Sequence, residues 1–157
     1  MRSILRLLLL LVLACRLLAS TADEETALAT VQQFLDAMQN RDAAAIKAVW
    51  QSGSQYSYSG PLGKSTVVVQ KTIEQLITDL VSGNEPWLER IWNPTIKAAG
   101  NQAVVWARYD FHVGKKFTHN GTDCYSLLKT ADGWKIVGLV FTVEPGPGTE
   151  NPAGPPH

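Results

Sequence analysis

The stretch from Gln102 to Val143 reads QAVVWARYDFHVGKKFTHNGTDCYSLLKTADGWKIVGLVFTV and decides the fold. It contains three runs in which β-branched and aromatic residues alternate with polar ones, the pattern of half-buried strands. The dipeptides Gly114-Lys115 and Asp132-Gly133 separate the runs, and each is of a kind that reverses a strand within two residues. The stretch therefore predicts three antiparallel strands, with the helices that precede them covering the sheet.

Three helices are expected before this stretch. From Glu24 to Gln39, apolar residues recur every three or four positions, which predicts an amphipathic helix of about four turns. Asp42 is well placed to cap a second, short helix from Ala43 to Trp50. Helical spacing then runs up to Gly83, a good helix stop, and predicts a third helix at about residues 68 to 82.

Two further segments have the character of strands. Polar and aromatic residues alternate from Gln55 to Ser59, and Gly60-Pro61 ends this short strand. The segment from Trp87 to Ala98 alternates unevenly and contains Pro94, which has no N–H to donate to a neighbouring strand. We therefore expect the second segment to be an edge strand or a bulged one.

The first 22 residues have the organisation of a secretory signal peptide. Arg2 and Arg6 precede a short apolar run, and small residues follow it up to Ala22, after which cleavage is expected. An alternative is a bacterial lipoprotein sequence in which Cys15 is the lipidated residue. Both interpretations predict export, either to the periplasm or medium or to a membrane anchor.

Composition limits what the exported chain can bind. The 157 residues are 45% hydrophobic and 18% charged, which suits one globular domain. Residues 1–22 contain three of the 14 Lys and Arg, so 11 remain against 14 Asp and Glu, a net charge of −3. This mildly acidic chain has no basic stripe for nucleic acid, and its apolar runs are too short to span a membrane. Only Cys124 would remain, so no internal disulfide is expected.

The predicted domain runs from residue 23 to residue 144. Residues 145–157 are rich in Pro and Gly and contain no apolar side chain larger than that of Ala153. Such a segment cannot bury an apolar face, so we expect this tail to be disordered.

Pairing outward from Gly114-Lys115 places Asp110 opposite His119. A carboxylate beside an imidazole raises the pKa of the histidine and orients its ring, as acid–base chemistry requires. Asp110 and His119 are therefore the candidate acid–base pair. The same face would carry Trp106, Arg108, Asp123 and Tyr125.

The opposite face is expected to be the more apolar one. It would carry Val105, Ala107, Tyr109, Phe111, Cys124, Leu128, Val137, Leu139 and Phe141. If this face packs on the helices, the Asp110 face is a polar surface exposed to solvent or to a second subunit. If the Asp110 face lines a pocket, it carries the chemistry. Both alternatives stay open, because a slip of one residue in the register exchanges the two faces.

Aromatic and polar side chains from several elements are candidates for lining a pocket. They are Trp50, Tyr56, Trp106, Arg108, Tyr109, Phe111, Asp123 and Tyr125. No metal or other cofactor is expected, because His112, His119 and Asp110 do not have a recognised ligand spacing.

The order of helices and strands resembles the nuclear transport factor 2-like superfamily, and in particular its SnoaL-like or lumazine-binding branch. The motifs that carry the resemblance are the helix-turn-Asp42-helix opening, Ala103-Val104-Val105-Trp106-Ala107, Tyr109-Asp110-Phe111, His119-x-Gly121-x-Asp123 and the segment from Leu128 to Ile136. The resemblance implies an α+β roll, in which a strongly curved, mostly antiparallel sheet wraps around the N-terminal helices and leaves a conical pocket. It also implies a homodimer in many members.

The resemblance does not fix an activity, because this fold carries both enzymes and binding proteins. Our first hypothesis is an exported protein that binds a small, partly apolar molecule. The second is a cofactor-independent isomerase or dehydratase, similar to ketosteroid isomerases and polyketide cyclases, with Tyr109 or Tyr125 as the oxyanion donor. The third is a dimerisation or interaction module without a ligand.

Overall fold

A computed structural model describes residues 22–62, 65–144 and 151–154. In chain order the elements are α1 (residues 22–39), α2 (Ala43–Val49), β1 (Trp50–Leu62), β2 (Ser65–Thr72), α3 (Ile73–Ser82), β3 (Trp87–Ala99), β4 (Gln102–Val113), β5 (Lys116–Thr130) and β6 (Gly133–Thr142). The predicted signal peptide up to residue 21, the lipidation candidate Cys15 and most of the predicted disordered tail lie outside the described residues. None of the described helices is long and apolar enough to cross a membrane.

The six strands form one curved, open sheet in the order β2-β1-β6-β5-β4-β3. All neighbouring pairs are antiparallel except β1 and β6, which run parallel. The three strands predicted from Gln102 to Val143 are β4, β5 and β6, and they are neighbours in the sheet, flanked by β1 on one side and β3 on the other. The α+β roll expected from the sequence is confirmed.

Helix α1 supplies the apolar layer on one face of the sheet, which we call the inner face. Its spacing of apolar residues buries Ala27, Val31, Phe34, Leu35 and Met38. The Phe34 ring meets Trp50 edge-on at 5.3 Å between centroids and Tyr125 at 6.3 Å. The helix therefore packs against both β1 and β5, and burial of its apolar side chains stabilises the fold.

The predicted cap of the second helix is confirmed. The Asp42 carboxylate accepts hydrogen bonds from the backbone N–H groups of Ala44 at 3.0 Å and Ala45 at 2.9 Å. These N–H groups have no partner within the helix, so the carboxylate supplies one. Its negative charge also interacts favourably with the positive, N-terminal end of the helix dipole.

The third helix is shorter than predicted, because residues 65–72 form strand β2. The β-branched residues that open this segment pair with β1, and Val69 lies opposite Tyr58. Thr72 then begins the helix with a reciprocal cap: its hydroxyl accepts from the Gln75 backbone, and the Gln75 side chain accepts from the Thr72 backbone. The prediction that the helix begins at about residue 68 was wrong, because it relied on the spacing of apolar residues and did not consider the cap at Thr72.

Strand β3 is at the edge of the sheet, as Pro94 predicts. Its pairing with β4 shifts between Trp92 and Thr95, and Asn93 has a positive φ of 50°. The shift is the expected bulge, which removes Pro94 from the regular ladder.

The turn at Gly114-Lys115 is confirmed, since Val113 pairs directly with Lys116. The next turn lies one residue earlier than predicted. Thr130 pairs with Gly133, so Ala131 and Asp132 form the reversal.

A bulge next to the Gly114-Lys115 turn changes the predicted register between β4 and β5. His112 pairs with Phe117 and Phe111 pairs with His119, so Thr118 is an extra residue on β5. Beyond this point Asp110 lies opposite Asn120 rather than His119. Asp110 and His119 are therefore on opposite faces of the sheet, and the predicted acid–base pair is wrong.

The same bulge redistributes the predicted faces. The inner face carries Val105, Ala107, Tyr109, Phe111, Leu139 and Phe141 as expected, but also His119, Asp123 and Tyr125 from the predicted polar face. Cys124 and Leu128 lie on the outer face, and Val137 is the extra residue of a second bulge. Leu127 and Ile136 lie on the inner face instead of Cys124, Leu128 and Val137, and both are fully buried.

Gly121 is required by a close approach of two strands on the inner face. A Cβ atom at this position would overlap the carbonyl oxygen of Thr142 and would lie 2.9 Å from the Tyr109 ring. Tyr109 also donates a hydrogen bond to the Thr142 carbonyl at 2.8 Å, which fixes this packing. Gly121 lies opposite Tyr109, and Thr122 lies opposite Arg108.

We predict that Gly121→Ala lowers the free energy of unfolding by about 3 kcal/mol, because the methyl group displaces backbone rather than a flexible side chain. Gly138→Ala is the matched control on β6, where the nearest atom to the added Cβ is 3.9 Å away. It should change stability by less than about 1 kcal/mol. Urea unfolding of the three proteins measures the difference, and equal effects of the two substitutions would contradict the packing described.

Candidate functional site

A cavity of about 330 Å³ opens between the helices and the inner face of the sheet. Its aromatic lining consists of Phe34, Tyr56, Tyr58, Trp87, Phe111 and Phe141. Tyr58 and Phe141 stack with 5.0 Å between their centroids, and the Tyr56 ring is 6.1 Å from the same Phe141 ring. The polar lining residues are Lys71, Asp79, Glu89 and His119. An apolar cavity with a few polar groups is typical of small-molecule sites.

The predicted lining residues lie in three different parts of the structure. Tyr56 and Phe111 line the cavity, and so does His119 from the predicted acid–base pair. Trp50, Tyr109, Asp123 and Tyr125 are buried on the inner side. Trp106 and Arg108 lie on the outer face, together with Asp110.

Two carboxyl groups and a phenol meet beside the cavity. The Tyr125 hydroxyl donates to Glu89 Oε1 at 2.9 Å, and Asp123 Oδ2 is 3.4 Å from the same hydroxyl. Asp123 and Tyr125 are completely buried, whereas Glu89 keeps some accessible surface because it lines the cavity. Glu89 is therefore the member of this carboxyl cluster that a bound molecule can touch.

The carboxyl cluster retains a proton under conditions where free carboxyls are ionised. Burial raises the pKa of Glu89 to about 7. Burial and the neighbouring charge of Glu89 raise the pKa of Asp123 well above its usual range. A hydroxyl has only one hydrogen to donate, so Tyr125 cannot satisfy two carboxylates at once. A proton on Asp123 resolves this arrangement and leaves Glu89 as the group that titrates near neutral pH.

His119 and Tyr109 are held by their neighbours on the inner face. His119 Nδ1 is 2.9 Å from the Thr118 hydroxyl, and its ring lies 5.0 Å from Phe111 and 5.7 Å from Tyr109. Burial lowers the pKa of His119, which favours the neutral imidazole. Because the Tyr109 hydroxyl bonds the Thr142 carbonyl, it is already engaged and is not a free oxyanion donor.

The predicted partner of His119 has a structural role on the outer face. Asp110 is 5% exposed and accepts two hydrogen bonds from the Arg90 guanidinium, which in turn donates to the Gly154 carbonyl. Arg108 makes a similar paired contact with Glu144 at 2.7 and 2.9 Å. The Arg90–Asp110 pair joins the adjacent strands β3 and β4, and the Arg108–Glu144 pair joins β4 to a residue just after β6. These forked ion pairs account for both charged residues without a ligand.

Glu89 was not among the predicted site residues, although the sequence contains a signal for it. In strand β3, Trp87, Glu89 and Ile91 alternate and share one face. Their neighbours on β4 are Val113, Phe111 and Tyr109, all on the inner face. A carboxylate in the middle of an otherwise apolar alternation is the mark of a buried polar position.

Lys71 and Asp79 form an ion pair of 2.7 Å in the more exposed part of the cavity. Their side chains keep 37% and 45% of their accessible surface, so the pair contributes little to stability. Among the described residues, no three His, Cys, Asp or Glu side chains lie close enough together to hold a metal ion.

Solved structures with the same architecture share little sequence with this chain. A protein of cystatin-like fold from Novosphingobium aromaticivorans is 16% identical, with a TM-score of 0.64 over 87% of this chain and 90% of its own. A Streptomyces avermitilis protein proposed to be a dehydratase is 14% identical, with a TM-score of 0.61 over 80% and 99%. A Salmonella enterica protein is 16% identical, with a TM-score of 0.59 over 83% and 98%. All three are described as nuclear transport factor 2-like, and at these identities they establish the fold alone.

The search of curated proteins finds no match to this sequence. The SnoaL-like domain family, in contrast, matches residues 27–143, from the first helix to the end of the sheet. This match covers most of the chain, and the fold agrees with it. The chain therefore belongs to the SnoaL-like domain family of the nuclear transport factor 2-like superfamily.

Proposed function

We propose that this protein binds a small, partly apolar molecule in the inner cavity, with the polar group of that molecule at Glu89. The observation that carries the proposal is the carboxyl cluster beside an aromatic cavity of about 330 Å³. The rings of Tyr58, Phe111 and Phe141 offer flat apolar surfaces for the body of the ligand. Glu89 offers a fixed acceptor, because Tyr125 holds one of its oxygens.

A panel of aromatic alcohols and ketones with fewer than about 15 heavy atoms should include members that raise the melting temperature, since a ligand stabilises the folded state it binds. Tyr58→Ser should weaken their binding by about tenfold, because it removes the stack on Phe141. Phe117→Ser is the matched control, since Phe117 is 36% exposed and does not line the cavity. Thermal shift and NMR titration measure both effects. A panel that leaves the melting temperature unchanged would argue against the proposal.

A second candidate function is cofactor-independent proton transfer of the isomerase or dehydratase type. It is supported by the shared proton of the carboxyl cluster, in which Glu89 has a pKa of about 7 and contacts the cavity. A base with this pKa is about half ionised at neutral pH and is strong enough to remove a proton from carbon next to a carbonyl group. In this role Glu89 is the base instead of the predicted Asp110. The Tyr125 hydroxyl lies within hydrogen-bonding distance of both Glu89 and Asp123.

Proton transfer should appear as exchange of carbon-bound hydrogen for deuterium in bound cyclic ketones, followed by NMR. The rate should fall as the pH drops below about 7, because protonated Glu89 cannot accept a proton. Glu89→Gln should reduce the rate at least about a hundredfold. Asp79→Asn, which changes the other carboxyl of the cavity, should leave most of the rate. Exchange that persists in Glu89→Gln would remove this candidate.

The outer face of the sheet supports a proposal of homodimerisation. Trp106 lies opposite Cys124, which lies opposite Val140, so the three form a row across β4, β5 and β6. Trp106 is 59% exposed and Val140 is 61% exposed. Exposed apolar side chains that are neighbours on a flat surface are typical of interfaces, and a two-fold axis would bring this row onto its own copy.

Light scattering at micromolar concentration should therefore give the mass of two chains. The double variant Trp106→Gln, Val140→Thr should shift the protein toward one chain, because it removes the apolar centre of the contact. Val81→Thr is the control, since Val81 is 50% exposed but belongs to α3. A monomeric parent protein, or a double variant that remains dimeric, would exclude this interface.

A further inference from the structure

The charges that line the cavity do not balance. Lys71 and Asp79 neutralise each other at 2.7 Å, which leaves Glu89 as the remaining charged lining residue in the described part of the chain. Asp123 adds a second carboxyl behind it, and Tyr125 supplies a hydroxyl rather than a cation. His119 also lines the cavity, but burial lowers its pKa and favours the neutral form. The cavity is therefore attractive to positive charge and repulsive to negative charge.

The aromatic walls add to this preference. The faces of aromatic rings carry partial negative charge and attract cations within about 6 Å of the ring centre. Tyr58 and Phe141 form a stacked pair at 5.0 Å, and Trp87 meets Phe111 edge-on at 5.8 Å. Rings of this kind, together with a carboxylate, are the groups that proteins use to bind organic ammonium ions.

Glu89 also has a vacant hydrogen-bonding position. Tyr125 donates to Oε1 and Asp123 is a second hydrogen-bonding partner, whereas the two oxygens of an ionised carboxylate can accept about four hydrogen bonds. With the proton on Asp123, ionisation of Glu89 leaves one negative charge in the carboxyl cluster. A donor that carries a positive charge would use this remaining capacity of Glu89 and offset the cost of the buried negative charge at the same time.

We propose that the ligand is an organic amine with an apolar or aromatic body, whose ammonium group binds Glu89 while the body lies against the ring walls. This inference rests on the proposed binding function and names the ligand class of the same cavity. It favours binding over proton transfer, because a carboxylate paired with an ammonium ion is not free to act as a base.

Phenethylamine, phenethyl alcohol and phenylacetate form a matched series for the test, since they have one ring and similar lengths but carry positive, neutral and negative polar groups. Dissociation constants from NMR titration at neutral pH should rank the amine first, about tenfold or more tighter than the alcohol, with the acid weakest. Glu89→Gln should abolish the advantage of the amine, so that the amine and the alcohol bind this variant with affinities within about twofold of each other.

Asp36→Asn is the control for overall charge. Asp36 is exposed on α1 and bonds Gln32, so this variant removes one negative charge without changing the cavity. It should retain the preference for the amine. If the preference falls equally in both variants, long-range charge explains it and the proposed contact with Glu89 is wrong.

A second measurement uses the unsubstituted protein, so it does not depend on the folding of Glu89→Gln. Affinity for the amine should rise from about pH 6 to about pH 8, because the cation binds the ionised form of a carboxyl whose pKa is about 7. Affinity for the alcohol should change much less over the same range. A flat profile for the amine would overturn the inference.

The series also separates this inference from the proposed function on which it rests. If the alcohol binds as tightly as the amine, or the acid binds most tightly, the amine inference fails and the binding function stands. If none of the three compounds binds, and the panel of aromatic fragments also fails, both are rejected.

Discussion

The extra residue in β5 is the constraint on which the site depends. Thr118 does not pair with β4; instead its hydroxyl donates to the Phe111 carbonyl at 2.9 Å, which satisfies that group where the ladder is interrupted. From this point every residue of β5 is displaced by one position relative to β4. His119, Asp123 and Tyr125 consequently lie on the inner face, and Asn120 lies on the outer face. Without the bulge, Asp123 would lie on the outer face, and Glu89 would have no second carboxyl beside it.

Much of the fold could be predicted because it depends on local signals. The Asp42 cap, the Gly114-Lys115 turn and the effect of Pro94 each act over a few residues, and each is confirmed. The third helix was placed too early because β-branched residues fit both a strand and the first turn of an amphipathic helix. Pairing with β1 decides between them, and that pairing depends on residues distant in the chain.

The site was less predictable, because a bulge has no strong sequence signal when it lacks glycine. The Lys116 to Asn120 segment alternates well enough to be paired without interruption, so Asp110 and His119 were matched across the turn. Glu89 had a clearer signal in its apolar neighbours, but it comes from an edge strand. It meets Tyr125 only because β3 and β5 flank the same strand, at a separation of 36 residues. A contact of this kind depends on the order of the strands in the sheet, which cannot be read from individual residues.

The two faces of the sheet also differ in how their carboxylates are compensated. On the outer face, Asp110 has Arg90 and Glu144 has Arg108, each through two hydrogen bonds. On the inner face, Glu89 and Asp123 have each other and a phenol. A buried carboxyl pair without a cation destabilises the folded state, whereas apolar side chains of similar size would stabilise it. Arg90 follows Glu89 in β3, and Arg108 precedes Tyr109 in β4. Both arginines lie on the outer face, so neither provides a cation for the inner carboxyl pair. The inner pair is thus a poor device for holding the fold together, and its position beside the cavity is better explained by what the cavity binds.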